Sequence, residues 1–203
     1  MFYKPQDGHG LPRNPLQACV VPRPIGWIST LSRSGLINLA PFSHFNLVSI
    51  SPPIVMYSCS GFHVDGDIKD SALNAKETGE FVYNMATWDT RKAMNMSSMS
   101  LKREEDEFNY SKLTRIDSKI VKAPRVLESP INLECKTWKC IELPKAPDNS
   151  KNILVLGKVV GVHIKDEVIK DGLVDTVKIK PLARLGYKEY TIVDKSFSID
   201  RPK

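Results

Sequence analysis

Gly26-Trp27-Ile28-Ser29-Thr30-Leu31, the turn signal Ser32–Gly35, and Leu36-Ile37-Asn38-Leu39-Ala40 decide the reading of this chain. Both apolar runs are rich in β-branched and aromatic residues, and a short Ser/Gly-rich break separates them, which predicts a hairpin. Pro41-Phe42 is read as its end and the start of a loop. Upstream, Leu16–Pro24 is an apolar run broken by Pro22 and Pro24. Residues 1–14 are polar, with Pro5, Gly8, Gly10 and Pro12, and read as an extended arm before one domain over 15–203. Downstream, Pro52-Pro53 precedes a buried strand, Ile54–Cys59. Asp67–Lys76 reads as a helix capped by Asp67 and stopped by Gly79, and Phe81–Met85 as a strand. Asp89–Leu101 reads as a second helix, with Asp89 or Thr90 as its cap, and Glu107–Leu113 as a helical turn. Ile131–Leu143 alternates as a half-buried strand would, with Asn132 and Glu134 on the polar side. Ile153–Ile164 is the strongest strand signal, and Gly157 and Gly161 within it predict bulges. His163 there reads as a surface or packing residue. Asp171-Gly172 is a tight turn. The strands do not alternate with helices as βαβ units. The fold expected is mainly β with helices: a closed or split antiparallel barrel.

Composition sets the outer bounds. The 203 residues are 41% hydrophobic and 26% charged, which excludes a largely disordered chain, a collagen-like repeat and a coiled coil. Apolar stretches fall far short of the about 20 residues that cross a bilayer. Met1–Gly10 has no apolar core of a secretory signal, so a cytoplasmic location without membrane attachment is expected. The net charge of +6 suits an anionic partner, but the basic residues are dispersed and no nucleic-acid motif or aromatic stacking platform accompanies them. The four cysteines, Cys19, Cys59, Cys135 and Cys140, read as reduced thiols. No cluster of metal-ligating residues stands out, so no metal site is expected. Nucleophile-elbow, phosphate-loop and dinucleotide-fold signatures are missing. The spacing of Cys59 and His63 lacks a third orienting group for nucleophilic catalysis.

Chemistry gathers between Arg23 and Ser71. Short hydroxyls and amides at strand ends suit hydrogen bonds to a flat heterocycle with carbonyls and ring nitrogens. Lys69 and Ser71 near a helix start, with Arg23 or Arg33, suit a phosphate. The plainer alternative is that these Ser and Thr residues occupy solvent faces of strands.

The stretches P-R-P-I-G-W-I-S-T-L-S at 22–32, G-L-I-N-L-A-P-F-S-H-F-N at 35–46 and S-P-P-I-V at 51–55 resemble the flavin reductase-like, FMN-binding split-barrel family. So do K-D-S-A-L-N at 69–74, T-G-E-F-V-Y-N at 78–84, the later strands, and P-L-A-R-L-G at 181–186. The resemblance implies an FMN-binding split β-barrel, a homodimer, and noncovalent FMN near the dimer interface. It implies that Ser29, Thr30, Asn38, Ala40, Pro41 and Ser43 line the ring and ribityl chain, and that Ser58, Cys59 and Ser60 approach it. Lys69, Asp70 and Ser71 are expected at the phosphate end, with Arg23 a further phosphate candidate. The activity implied is electron transfer from a reduced donor, with NAD(P)H possible, through FMN to an acceptor, or flavin carriage with a protein donor. The flavin does the redox chemistry, so no catalytic side chain is expected. Asp148-Asn149-Ser150-Lys151 stands where two-component reductases carry Gly-Asp-His, and the chain looks nearer the flavoredoxin-like branch.

Overall fold

The computed structural model describes residues 1–202. The hairpin forms where the sequence places it. Arg23–Pro24 makes a short β1, Gly26–Leu31 makes β2 and Ile37–Phe42 makes β3, with Trp27 opposite Pro41 and Thr30 opposite Asn38. Gly35 takes φ +87° in the turn, a conformation that favours glycine. The chain continues through β4 (Phe45–Ile50), β5 (Pro53–Cys59), α1 (Asp70–Thr78), β6 (Glu80–Met85), α2 (Arg91–Met96) and α3 (Glu107–Ser111). There follow the short β7 (Arg115–Ile116) and β8 (Arg125–Val126), the long β9 (Ile131–Leu143) and β10 (Asn152–Ile164), and the hairpin β11 (Ile169–Lys170) and β12 (Leu173–Val174). The last elements are α4 (Thr176–Ile179), β13 (Leu182–Arg184) and β14 (Tyr190–Ile192).

Seven strands form one antiparallel sheet in the order β3-β2-β6-β9-β10-β5-β4. Its edge strands, β3 and β4, are joined by only Ser43 and His44. Three Cα steps span at most about 11 Å, so the sheet must curl until its ends approach. Phe45, from one edge, packs where a Cβ on Gly26 would lie, 2.6 Å from the ring, and stacks on Tyr83 at 4.4 Å. That contact is the closure of the split barrel. Ile28, Tyr57, Phe81, Val155 and the Cys135 thiol fill the interior, and α1 plugs it with Ala72 and Ala75. The bulges come at the two glycines: β9–β10 register shifts fall at Leu156/Gly157 and between Val159 and Gly161.

A second apolar layer lies outside the barrel. Trp27 and Leu39 meet Met94 of α2, Phe108 of α3, Val126 and Leu182 there. β2 is therefore buried on both faces.

Four sequence expectations need correction. The loop expected after Pro41 is the strand pair β3–β4. The first helix begins at Asp70 rather than Asp67, because the segment before it is closed as a turn in which the His63 N–H donates to the Asp67 carbonyl at 2.7 Å. The second helix covers only Arg91–Met96. The polar face of β9 meets solvent only from Lys136 onward: Asn132 and Glu134 are buried, and His163 bonds Glu134 at 2.6 Å.

Candidate functional site

A cavity of about 170 Å³ opens where β3, the start of α1 and the segment after α2 converge. From β3 come Asn38, Ala40, Pro41 and Phe42, and from the α1 side His63, Val64, Lys69, Asp70 and Ser71. Ser97–Leu101 and Glu107 complete the wall. An adjoining cavity of about 260 Å³ shares Asn38 and Asp70 and adds Arg33 and Arg103.

Each side is held from behind. Asn38 donates to Thr30 Oγ1 at 3.2 Å and to Ser71 Oγ at 2.8 Å, and Asn74 donates to Thr30 at 3.0 Å. These bonds lock β3 to the first turn of α1. Tyr57 donates from the barrel interior to the Ser71 carbonyl at 2.7 Å. Buried Trp27 donates from Nε1 to Ser97 Oγ at 2.8 Å and so anchors the serine-rich segment. His63 bonds Asp70 through Nε2 at 3.1 Å, while its Nδ1 accepts the Asp65 N–H at 3.2 Å. Asp70 also pairs with Arg103. Lys69, the residue before α1, has no carboxylate partner among the described residues. With the first-turn N–H groups of α1 it makes that end favourable to an anion.

Of the residues proposed from sequence, Asn38, Ala40, Pro41, Lys69, Asp70 and Ser71 line this cavity, and Thr30 lies behind it. The others lie elsewhere. Arg23 is spent on backbone: its guanidinium donates to the carbonyls of Gln17, Val20 and Leu185, which corrects its reading as a phosphate ligand. Ser29 is fully buried on the outer face, donating to the Pro124 carbonyl at 2.5 Å and accepting from Asn84 at 3.0 Å. Cys59 is in the barrel core, where burial pushes its thiol far up, and His63 faces aspartates instead. Ser43, Ser58 and Ser60 sit on the β3–β4 turn and at the end of β5, off the cavity wall. Sequence reasoning missed His63, Ser97–Leu101 and Glu107. The serine run after Met96 was their one local signal.

The donor set fits FMN. Serine hydroxyls line the helix side, β3 presents an amide and an apolar segment opposite them, and a cation, Lys69, stands at the start of α1. Fold and site together define a split-barrel protein built for a flat heterocycle with an anionic arm. Residues 18–182 match the flavin reductase like domain, and the chain belongs to that family. An uncharacterised protein of Halalkalibacterium halodurans is 37% identical over 187 residues, 92% of this chain and 89% of its own. Among solved structures, nitrilotriacetate monooxygenase component B from Bacillus cereus is similar with a TM-score of 0.82 and 29% identity over 91% of both chains. The 2-nitrobenzoate 2-nitroreductase of Pseudomonas fluorescens is similar with a TM-score of 0.80 and 26% identity over 92% of this chain and 88% of that one. The family membership makes this chain a flavoprotein of oxidoreductase type.

Proposed function

We propose that the chain binds FMN noncovalently in the two joined cavities and passes electrons from NADH or NADPH through it to an acceptor. The observation that carries this reading is the donor set on the cavity wall. Ser71 offers its hydroxyl proton to a ring or ribityl oxygen, and Asn38, whose two amide hydrogens are held by Thr30 and Ser71, offers Oδ1 as an acceptor. Ala40 and Pro41 present a flat apolar strand segment to the ring. Lys69 and the first-turn N–H groups of α1 would hold the phosphate. When bound, the isoalloxazine ring supplies the two-electron chemistry. The protein's part is to position it and to exclude water.

Two further parts of the reading follow from the surroundings. Neither cavity is enclosed by this chain alone, which supports a homodimer whose second copy covers the exposed part of the flavin. The four free thiols support a reducing, cytoplasmic setting, with no membrane or nucleic-acid partner.

The test is reconstitution with FMN followed by desalting, then anaerobic mixing with NADH and with NADPH at the flavin absorbance band. A colourless desalted protein refutes FMN binding. Bleaching faster than that of free FMN establishes nicotinamide use. A bound flavin that stays oxidised favours the second reading, a carrier reduced by a protein donor. The loop Asp148–Lys151 supports that second reading. It has no histidine, and it is held as a turn by the Ser150 N–H donating to Asp148 Oδ1 at 2.9 Å.

A further inference from the structure

We propose that Glu107 is the proton-bearing group of the cavity, donating a hydrogen bond as the neutral acid to a carbonyl oxygen or ring nitrogen of the bound heterocycle. The inference rests on the flavin reading above.

Glu107 opens α3, is only 8% exposed and forms part of the cavity wall. Its Oε2 accepts the Leu39 N–H at 3.0 Å. β3 is an edge strand, so this buried N–H faces away from β2 and takes its acceptor from α3. No side chain among the described residues bonds the carboxyl; its own backbone N–H is the second group that pulls on it. A buried carboxylate held only by backbone N–H groups, with no cation, is costly, and the inexpensive state is the protonated one.

The surrounding charges agree. Asp70 and Asp106 are the carboxylates that act on Glu107, and both raise it. The arginines nearby are committed, Arg103 to Asp70 and Arg115 to Asp106. Lys69 and His63 line the opposite side of the cavity. β3 carries no charged residue, and Arg91 and Lys92 of α2 line a separate groove beside Trp88. Burial first, then the two aspartates, push Glu107 up to about 7, against the pull of the Leu39 N–H and of its own backbone N–H. At neutrality the group is thus poised between donor and anion. As the acid, it offers an O–H to a ligand acceptor. As the anion, it repels one. Ligand binding therefore holds a proton on Glu107.

The test is a fluorescence titration of the full chain with FMN at about pH 6 and about pH 8.5, for the wild type and Glu107→Gln. Glutamine keeps an acceptor for Leu39 and presents a permanent N–H donor, so it mimics the acid. The expected result is a wild-type Kd that weakens about tenfold or more across this range, from a linkage of up to tenfold per pH unit. Glu107→Gln is expected to remove that weakening. The ionisation of the FMN phosphate is common to both proteins and cancels in the comparison. The same pH slope in both proteins overturns the proposal. If neither binds FMN at either pH, the flavin reading falls and this inference with it. If the variant does not fold, calorimetry of wild type with FMN at about pH 7.5, in two buffers of different ionisation heat, decides instead. Uptake of most of one proton supports the proposal, and no uptake overturns it.

Discussion

Glu134 sits mid-strand in β9 with no exposed surface and accepts three successive N–H groups, from Lys119 at 2.8 Å, Ile120 at 2.6 Å and Val121 at 2.9 Å. His163 adds a fourth bond. Burial alone pushes a carboxyl up, but here His163 and the three N–H groups together outweigh it and hold Glu134 at about 2. A depressed folded value means that the stabilisation is present above the ordinary carboxylate range and is lost as pH falls from about 4.5 towards 2. The difference corresponds to about 3 kcal/mol at neutrality. Glu134→Gln is therefore expected to lose roughly 3 kcal/mol in urea unfolding at pH 7, with the gap to wild type closing near pH 2. An unchanged gap across that range would refute the assignment. Glu107 runs the other way. Its folded value is raised to about 7, so its stabilisation is complete below about 4.5 and is lost as pH rises through 7. Flavin-free wild type is expected to fall behind Glu107→Gln by about 3 kcal/mol between pH 4 and pH 8.5. Urea midpoints at the two pH values measure this, and parallel behaviour of the two proteins would contradict it.

β10 shows how a strand can be legible down to its irregularities. Its two glycines lie at register shifts because the barrel needs space there: a Cβ on Gly157 would come within 2.4 Å of the Phe81 ring. Phe81 fills the barrel axis and cannot withdraw without leaving a void. Gly157→Ala should thus destabilise by about 1–3 kcal/mol, and Phe81→Leu should restore part of that loss in the double variant. Simple additivity in urea unfolding would show that the two positions do not share the space. The same hairpin logic made β2 and β3 readable, since their pattern is local. β4 was not. Its bulge between Leu47 and Ser49 breaks the alternation, and Leu47, Val48 and Ile50 all face outward. Asn132 and Glu134 looked solvent-facing because the segment that buries them, residues 115–126, folds over β9 from elsewhere in the chain. The candidate site divides along the same line. Asn38, Ala40 and Lys69–Ser71 stood in recognisable stretches, whereas His63, Ser97 and Glu107 reach the cavity only through tertiary packing. Arg23 and Ser29 misled because a side chain that suits a ligand also suits a buried carbonyl.

At the scale of the whole molecule, the two sheet edges are treated differently. α3 covers β3, and Glu107 takes the Leu39 N–H. β4 pairs with β5 on one side and presents Leu47, Val48 and Ile50, 54%, 57% and 82% exposed, to solvent. An apolar edge strand of this kind invites pairing or aggregation unless something covers it. A second copy of the chain is the cover consistent with cavities that stay open at the surface. Sedimentation at micromolar concentration is therefore expected to give twice the mass of one chain. Val48→Lys with Ile50→Lys should shift the mass to that of a monomer. Neither side chain lines the cavity, so the local binding groups stay intact in that variant. If the second copy completes the site, FMN affinity falls in step with dissociation and recovers at high protein concentration. A monomeric variant that binds FMN as tightly as wild type would separate the two ideas, leaving β4 as the dimer surface and each cavity as a self-sufficient site. A wild type that is itself monomeric would remove β4 from the interface altogether.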